Sequence, residues 1–376
     1  MANHANLDIL VAYCSMQGAE AGYDPGFGRD IAWDVPLLDG YPWVQLKNKA
    51  SNPGLHRFWG LNNPDLWSFI HKEKFDAVIL LTGYIYLSFW IALIAAKLTR
   101  TPVMFGTDSH QLTSRDKQLW KAWIKRWVWF YLFGLADVVA MPSSGGVALM
   151  RSIGLPEKKI VLTPYVIDND WWTAQSKQVD RSAVRQQWDI PDNAVVVLFC
   201  AKLQPWKCPN DVLEAFIRAD VDNTYLVFVG DGSLRSPLEQ RAIEAGTADR
   251  VKFLGFANQS QMPAIYTSSD VFVLPSEYEP FGVVVNEAML CGCPVIVSDR
   301  VGARYDLVRE GETGFVYPVR DIKVLTNILQ KVLKNPEQLN PMKKLAAKHL
   351  QAWSPLENVE AFFRAVSKAC TSIHYR

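Results

Sequence analysis

The first half of the chain alternates short apolar runs with longer amphipathic segments. The runs typical of strands are residues 7–14, 75–81, 103–106 and 138–141. Segments with apolar residues at helical spacing lie between them. This alternation predicts the βαβ repeat of a parallel sheet that is covered by helices on both faces.

The second half restarts the same alternation. Strands are predicted at 194–201, 225–230, 251–255, 271–275 and 294–298, and helices at 211–219, 234–245 and 283–290. From residue 322 onward the pattern is helical, with predicted breaks at the Asn-Pro pairs 335–336 and 340–341 and at Ser354-Pro355. The second half therefore predicts a second doubly wound sheet.

A polar stretch between 171 and 192 separates the two halves and indicates a domain boundary. The sequence predicts an α/β protein with two doubly wound, Rossmann-like domains that face one another. The predicted domains are 1–172 and 173–350, followed by a C-terminal helix, 351–376, that packs back toward the first domain. A chain of 376 residues is long enough for two such domains.

Composition narrows the class of protein. Lys and Arg number 39 against 38 Asp and Glu, so a net charge of +1 argues against nucleic acid as a partner. No stretch reaches the roughly 20 apolar residues of a spanning helix, and the first residues lack a leader pattern. The six cysteines lack zinc-site spacing, so we expect a cytoplasmic protein with reduced thiols and no metal site.

Residues whose side chains could bind a ligand or take part in a reaction follow the predicted strands of the second half. Ligands bind at this position in open α/β sheets. Lys202 and Lys207 follow the first strand, and the turn Gly230-Asp231-Gly232 follows the second. The fourth strand leads to Glu279 and, eight positions later, Glu287. These residues are expected to meet at one edge of the sheet.

The spacing of Glu279 and Glu287 argues against a glycoside hydrolase. If the intervening residues were helical, the two carboxylates would be about 12 Å apart, whereas a hydrolase pair is roughly 5 to 9.5 Å apart. They instead suit hydroxyl groups at opposite ends of a long ligand. A helix N-terminus between them and the two lysines suit phosphate. Together these features predict a site for a nucleotide diphosphate sugar.

The motifs of the second half resemble those of a known family. The segment from Glu279 to Glu287 matches the E-x7-E signature of retaining glycosyltransferases with the two-domain GT-B fold, often called family 4. Further matching stretches occur in the family's order: K-x4-K at 202–207, VGDG at 229–232, FLGF at 253–256, CGCPVIVSD at 291–299 and EGETGFVYP at 310–318. In the first half, TPYVIDNDWW at 163–172 is similar to the segment that ends the family's N-terminal domain.

The resemblance implies roles for these residues. Glu279 would contact hydroxyls of the donor sugar, and Glu287 the ribose hydroxyls. Lys202 and Lys207 would bind the diphosphate and stabilise the leaving group. Backbone N–H groups near Phe281, Gly282 and Val283 would assist them, with Gly230 close to the donor. The nucleotide base would lie against the strand end at 253–256.

In the N-terminal domain the family places a polar residue, often His, opposite the donor sugar. Asp108 and His110 follow the strand at 103–106, and the register from Pro102 favours Asp108. Gly26-Phe27-Gly28 is a further candidate for backbone approach to the donor, although a lone G-x-G is weak evidence.

The chain departs from the family at three places. Lys202 replaces the usual Arg and lacks its bidentate donors, Cys208 replaces a usual Gly, and residues 302–306 read GARYD where a double Gly and a Glu are common. These departures leave the donor sugar open.

The expected function is therefore retaining, metal-independent sugar transfer without a further cofactor, as in polysaccharide biosynthesis. The acceptor is left open between a glycan, a lipid-linked acceptor and a small molecule. The alternatives are a sugar-nucleotide epimerase on the same scaffold and a non-catalytic nucleotide-sugar binding protein.

The segment 115–130 has two interpretations. It carries five basic residues against one acid in its first twelve positions, with Trp120, Trp123, Ile124 and Trp127 at helical spacing. A basic amphipathic helix of this kind is typical of peripheral contact with an anionic membrane, which would be the inner face for a cytoplasmic protein. In the alternative interpretation, the Trp side chains pack into the N-terminal domain.

Overall fold

The structure, a computed structural model, describes residues 1, 4–24, 26–113 and 119–371, with the backbone alone for Leu119. Its strands are β1 Val11–Tyr13, β2 Gly22–Asp24, β3 Arg29–Ile31, β4 Trp43–Gln45, β5 Val78–Leu80, β6 Val103–Phe105, β7 Val138–Met141, β8 Ile160–Leu162, β9 Val195–Cys200, β10 Thr224–Val229, β11 Val251–Gly255, β12 Val271–Leu274, β13 Val295–Ser298 and β14 Gly314–Tyr317.

The helices alternate with these strands through most of the chain. They are α1 Asp65–Glu73, α2 Leu87–Leu98, α3 Leu119–Gly134, α4 Ser144–Ser152, α5 Asn169–Ser176, α6 Arg181–Gln187, α7 Pro209–Ala219, α8 Arg235–Glu244, α9 Met262–Thr267, α10 Val284–Leu290, α11 Ile322–Lys334, α12 Leu339–Gln351 and α13 Pro355–Thr371. Within the described ranges, none of the helices combines the length and the apolar character needed to cross a bilayer.

The described residues form two compact units. Unit 1 comprises 1–21, 36–164 and 356–371, and unit 2 comprises 22–35 and 165–355. The structural units are divided after residues 164 and 355, whereas the domains predicted from the sequence are divided after residues 172 and 350. The first difference arises because Tyr165 stacks on Phe281 of unit 2, with ring centroids 5.2 Å apart.

Unit 2 is built on a six-stranded parallel sheet in the order β11-β10-β9-β12-β13-β14. Its strands are almost entirely apolar, as expected for strands that are buried on both faces. Helices α7 and α11 pack on one face, where Phe216 and Leu329 are buried against Val197 and Phe199 of β9. The chain order reverses between β9 and β12, and ligands bind at such a reversal in open α/β sheets.

Unit 1 contains a four-stranded parallel sheet, β5-β6-β7-β8, and a separate parallel pair, β1 and β4. Phe89, Phe105 and Phe133 lie in its core. Helix α13 packs in the same unit, because its small residues Ala365 and Ala369 are fully buried. The two parallel α/β units confirm the predicted fold class.

The polar stretch 171–192 is not a linker. It forms much of α5 and all of α6, which belong to unit 2. Trp172 and Trp188 are buried there, and the buried guanidinium of Arg185 donates to carbonyl oxygens and to Asp270 at 2.7 Å. The sequence pattern did not reveal these buried residues, because Arg185 is charged and charged residues are mostly exposed.

The predicted helix break at Asn340-Pro341 is absent. Helix α12 begins at Leu339, so Pro341 falls in its first turn. Proline is tolerated there because the first N–H groups of a helix have no partner within the helix.

Candidate functional site in unit 2

The site is built on the loops that follow β9 and β12, on either side of the order reversal. After β9 the chain makes a short 3-10 turn at Pro205–Lys207 and starts α7 at Pro209. Cys208 links the two in the left-handed conformation, with φ of 54°. This explains why a Gly is usual at this position in the family that the sequence resembles.

Lys207 and Glu279 form an ion pair in this site. Both side chains are mostly buried, and the hydroxyl of Ser276 donates a further hydrogen bond to Glu279 at 3.2 Å. The pairing follows from the fold, because β9 and β12 are neighbours and their following loops run side by side. The structure thus brings together two residues that the sequence assigned to different parts of the donor.

Arg320 holds the Lys207 loop in place. Its guanidinium donates to Asp211 of α7 at 3.0 Å and to Glu277 at 3.3 Å. The Glu277 N–H in turn donates to the carbonyl oxygen of Trp206 at 2.8 Å. No sequence signal pointed to Arg320, since it lies more than one hundred positions after the loop that it supports.

Lys202 is held by a hairpin from an early part of the chain. Both carboxylate oxygens of Asp24, at the end of β2, lie 2.8 Å from Lys202 Nζ. The ammonium group also lies 4.6 Å from the centroid of the Phe27 ring, and Gln204 donates to the carbonyl oxygen of Gly26 at 3.1 Å. A Cβ at residue 26 would lie 2.7 Å from the Lys202 side chain, so the Gly allows this approach.

The predicted base-binding segment, 253–256, contacts the other side of the same hairpin. Phe256, just after β11, contacts the rings of Phe27 and Trp33, with centroids 5.0 and 6.5 Å away. The side chain of Asn258 donates to the carbonyl oxygen of Ala32 at 2.7 Å. The only sequence signal for this hairpin was the lone G-x-G at 26–28, which did not show which domain the segment joins.

Glu287 lies in α10 and is buried. The hydroxyl of Tyr266 donates to it at 3.0 Å. Burial raises the pKa of its carboxyl group to about 7, and the bonds from Tyr266 and Gln259 oppose that shift. A buried carboxylate of this kind is a strong acceptor once a ligand supplies donors.

Residues 281–283 lead into α10, which begins at Val284. The Phe281 ring is buried and stacked, 5.2 Å from Tyr165 and 6.5 Å from Trp353 between centroids. Gly282 has φ of +96°. Among the hydrogen bonds found for the described residues, none is donated by the N–H groups of Phe281, Gly282 or Val283. Their contact with a diphosphate stays a prediction.

Gly230 and Gly232 are required by packing. Their φ values are +125° and +153°, and a Cβ at either would clash with a carbonyl oxygen, that of Ala201 or Leu203. Asp231 pairs with Arg235 at 3.0 Å, and the N-cap residue of α8 is Leu234. The turn after β10 thereby fixes the Lys202 loop.

We expect Gly230→Ala to destabilise the protein by about 3 kcal/mol or more, because it adds a backbone clash to a strained left-handed conformation. Gly246→Ala is the matched control, since its φ of +69° is also left-handed but no atom lies within 4 Å of the new Cβ. The control should lose only about 1 kcal/mol. Urea unfolding measures both, and equal losses would contradict the packing role.

Asp108 and His110 belong to unit 1, in the loop after β6. Asp108 is exposed, although partial desolvation raises the pKa of its carboxyl group, and His110 is buried. Their proposed role toward the donor sugar stays a prediction.

Both halves of the chain match families of known proteins. Residues 180–349 match the model described as glycosyl transferases group 1, and residues 19–165 match the glycosyl transferase 4-like domain. The chain is 31% identical over 232 residues to a D-inositol 3-phosphate glycosyltransferase of Geodermatophilus obscurus, covering 59% of this chain and 50% of that protein. It is 28% identical to a 2-deoxystreptamine glucosyltransferase of Streptomyces kanamyceticus, covering 57% and 54%. The chain thus spans about half the length of these curated relatives.

Solved structures share the fold. Anabaena Alr3699/HepE in complex with UDP has a TM-score of 0.70 at 22% identity, with 87% of this chain and 86% of that chain covered. The lipopolysaccharide outer core galactosyltransferase WaaB in its apo form has a TM-score of 0.64 at 19% identity, with 88% and 85% covered. The GT-B fold predicted from the sequence is confirmed.

Proposed function

We propose that this chain, whose two halves match the group 1 glycosyltransferase model and the glycosyltransferase 4-like model, transfers a sugar from a nucleotide diphosphate sugar to an acceptor hydroxyl. The observation that carries the proposal is the Lys207–Glu279 ion pair at the order reversal of unit 2. It places a cation and a hydrogen-bond acceptor side by side, as the diphosphate and the sugar of one donor require.

When a donor binds, Lys207 and Glu279 would separate and contact different parts of it. Lys207 would turn from Glu279 to the diphosphate, and Lys202 would add a second charge. Glu279 would then accept hydrogen bonds from sugar hydroxyls, and Glu287 from the ribose. Two ammonium groups and backbone N–H donors supply the positive charge for a departing diphosphate, so metal-independent transfer is part of the proposal.

The retaining outcome is the other part of the proposal. The family resemblance supports it. Front-side attack needs no enzyme nucleophile, because the acceptor oxygen bonds to the anomeric carbon on the same face from which the bond to the diphosphate oxygen breaks. The proton of the acceptor hydroxyl passes to the leaving phosphate. The contribution of the protein is then positional and electrostatic. The matched families do not favour the epimerase or the non-catalytic binding protein.

Names of similar proteins suggest the first ligands to test. HepE was solved with UDP and with UDP-glucose, so uridine diphosphate sugars come first. The curated relatives are named for an inositol phosphate and for 2-deoxystreptamine, so polyhydroxylated ring acceptors join glycans and lipid-linked acceptors in the panel.

Thermal-shift measurements with uridine, guanosine, adenosine and thymidine diphosphates test the donor site. A ligand at 100 times its Kd stabilises the native state by about 2.7 kcal/mol. We expect one diphosphate to raise the Tm of the wild type but not of Lys207→Ala. Lys323→Ala, an exposed lysine of α11 in the same unit, is the matched control and should behave as wild type.

Transfer is then assayed with the sugar donors of the diphosphate that binds. Anomeric configuration by NMR reports retention, and chelator tests metal dependence. Isomerised donor without a transferred sugar would overturn the proposal in favour of the epimerase, and binding without turnover across the panel would favour the non-catalytic protein.

A further inference from the structure

Helix α3 of unit 1 has two apolar faces, and among the residues that the structure describes only one of these faces packs on the rest of the unit. The inner face carries Trp129, Leu132 and Phe133, which are all buried. The indole N–H of Trp129 donates to the hydroxyl of Tyr84 at 3.0 Å. The helix is therefore anchored in the core without using its other aromatic residues.

The outer face carries a continuous stripe, which we call the α3 stripe: Trp120, Trp123, Ile124, Trp127, Val128 and Tyr131. The spacing i, i+3, i+4, i+7, i+8, i+11 places these residues on one side of a helix. Their exposed fractions run from 45% for Ile124 to 65% for Tyr131. The interpretation that Trp120, Trp123 and Trp127 pack into the domain is therefore wrong, since the inner face already fills that space.

Basic residues flank the α3 stripe. Lys121, Lys125 and Arg126 lie on the same helix, and Leu119–Gly134 contains no acidic residue. The Lys125 ammonium lies 4.1 Å from the Trp129 ring centroid, where desolvation lowers its pKa. A surface groove of about 260 Å³ is lined by Arg126, Trp127, Phe130 and Ile153, so it offers a cation beside apolar walls.

We propose that the α3 stripe lies in the surface of an anionic bilayer. Trp and Tyr rings are stable at the level of lipid headgroups, because their bodies are apolar and their tips polar. The stripe is about 17 Å long, since its ends are eleven positions apart. Lys121 and Arg126 meet the phosphates of anionic lipids, and this function is independent of the proposed sugar transfer.

Charge decides between a bilayer and a second copy of this chain. A two-fold contact would place the same face of α3 on both sides. Lys121 and Arg126 would then oppose the same two cations of the other copy, with no acid on the described part of either helix. An anionic bilayer has the complementary charge.

Flotation with vesicles tests the proposal on the full chain. Wild type should float with phosphatidylglycerol–phosphatidylcholine vesicles, more weakly with added salt, and not with pure phosphatidylcholine. Charge reversal at Lys121 and Arg126 should lower the partition coefficient at least about 30-fold, as roughly fivefold per lost charge predicts. The matched control reverses Lys72 and Lys158, exposed lysines elsewhere in unit 1, and should float as wild type.

A second pair of variants tests how much the aromatic residues contribute to vesicle binding. Trp123→Ser with Trp127→Ser should abolish flotation, whereas Trp59→Ser with Trp67→Ser, exposed residues of the same unit, should leave it unchanged. Brominated lipids should quench tryptophan fluorescence of the wild type, a measurement that needs no variant. Any one of four results would overturn the proposal. These are no flotation at low salt, no quenching, an equal loss in the control variants, or a dimer that the Trp123 and Trp127 changes disrupt.

Discussion

Replacing Lys207 with Ala should lower the rate of sugar transfer by about 100-fold or more. Removal of one group that stabilises developing negative charge costs about that much in other enzymes. The replacement also leaves the mostly buried carboxylate of Glu279 without its ion-pair partner. Steady-state rates with saturating donor measure the loss, and diphosphate affinity should fall in parallel.

Glu279→Gln separates the two halves of the pair. The amide no longer competes for Lys207, so diphosphate affinity should be equal to wild type or higher, while transfer falls because the sugar loses its acceptor. Lys323→Ala is the control for both measurements. If Glu279→Gln left transfer intact, the assignment of the sugar to Glu279 would be wrong.

Glu287→Gln should make the ligand-free protein more stable at alkaline pH. The pKa of Glu287 is about 7 in the folded state against an ordinary value of 4.5. Below 4.5 both folded and unfolded states carry the proton, so burial of the group adds no pH-dependent cost. Above 7 both states are ionised, and the folded state bears the full cost, at most about 3 kcal/mol.

The wild type is therefore expected to lose stability as pH rises from 4.5 through 7, and the Gln variant to lose less. Urea unfolding at pH 5 and pH 8 measures the difference, with the exposed Glu312→Gln as control. The same variant should bind nucleoside diphosphate 10- to 100-fold more weakly, because it loses charged hydrogen bonds to the ribose. A variant less stable than wild type at pH 8 would contradict the burial cost, and unchanged affinity would remove Glu287 from the ribose site.

The sequence predicted the parts of the fold that depend on local pattern. The strand at 138–141 and the strand at 251–255 have the predicted bounds, because an apolar run between breakers is a local signal. The short strands β2, β3 and β4 were missed, since their sequences GYD, RDI and WVQ contain polar residues and form no apolar run. Helix α6 was missed because its anchor, Arg185, is a charged residue whose partners are distant in sequence.

The site shows the same division. Lys207, Glu279 and Glu287 became candidates because each follows or precedes an apolar run at a recognisable spacing. The ion pair between Lys207 and Glu279, the support from Arg320, and the contact of Asp24 with Lys202 depend on which strands become neighbours. No local pattern encodes that order, so the partners of the lysines had to come from the structure.

The hairpin of β2 and β3 has a consequence for synthesis of the chain. Its contact with Lys202 joins residues 178 positions apart, and an isolated two-stranded hairpin is marginally stable in water. At 5 to 20 residues per second, roughly 10 to 40 s pass between the emergence of Asp24 and of Lys202 from the ribosome. The contacts of unit 2 are therefore completed late in synthesis, when Lys202 meets a hairpin that was synthesised early. A fragment that starts at residue 165 would leave Lys202 without Asp24 and Phe256 without Phe27.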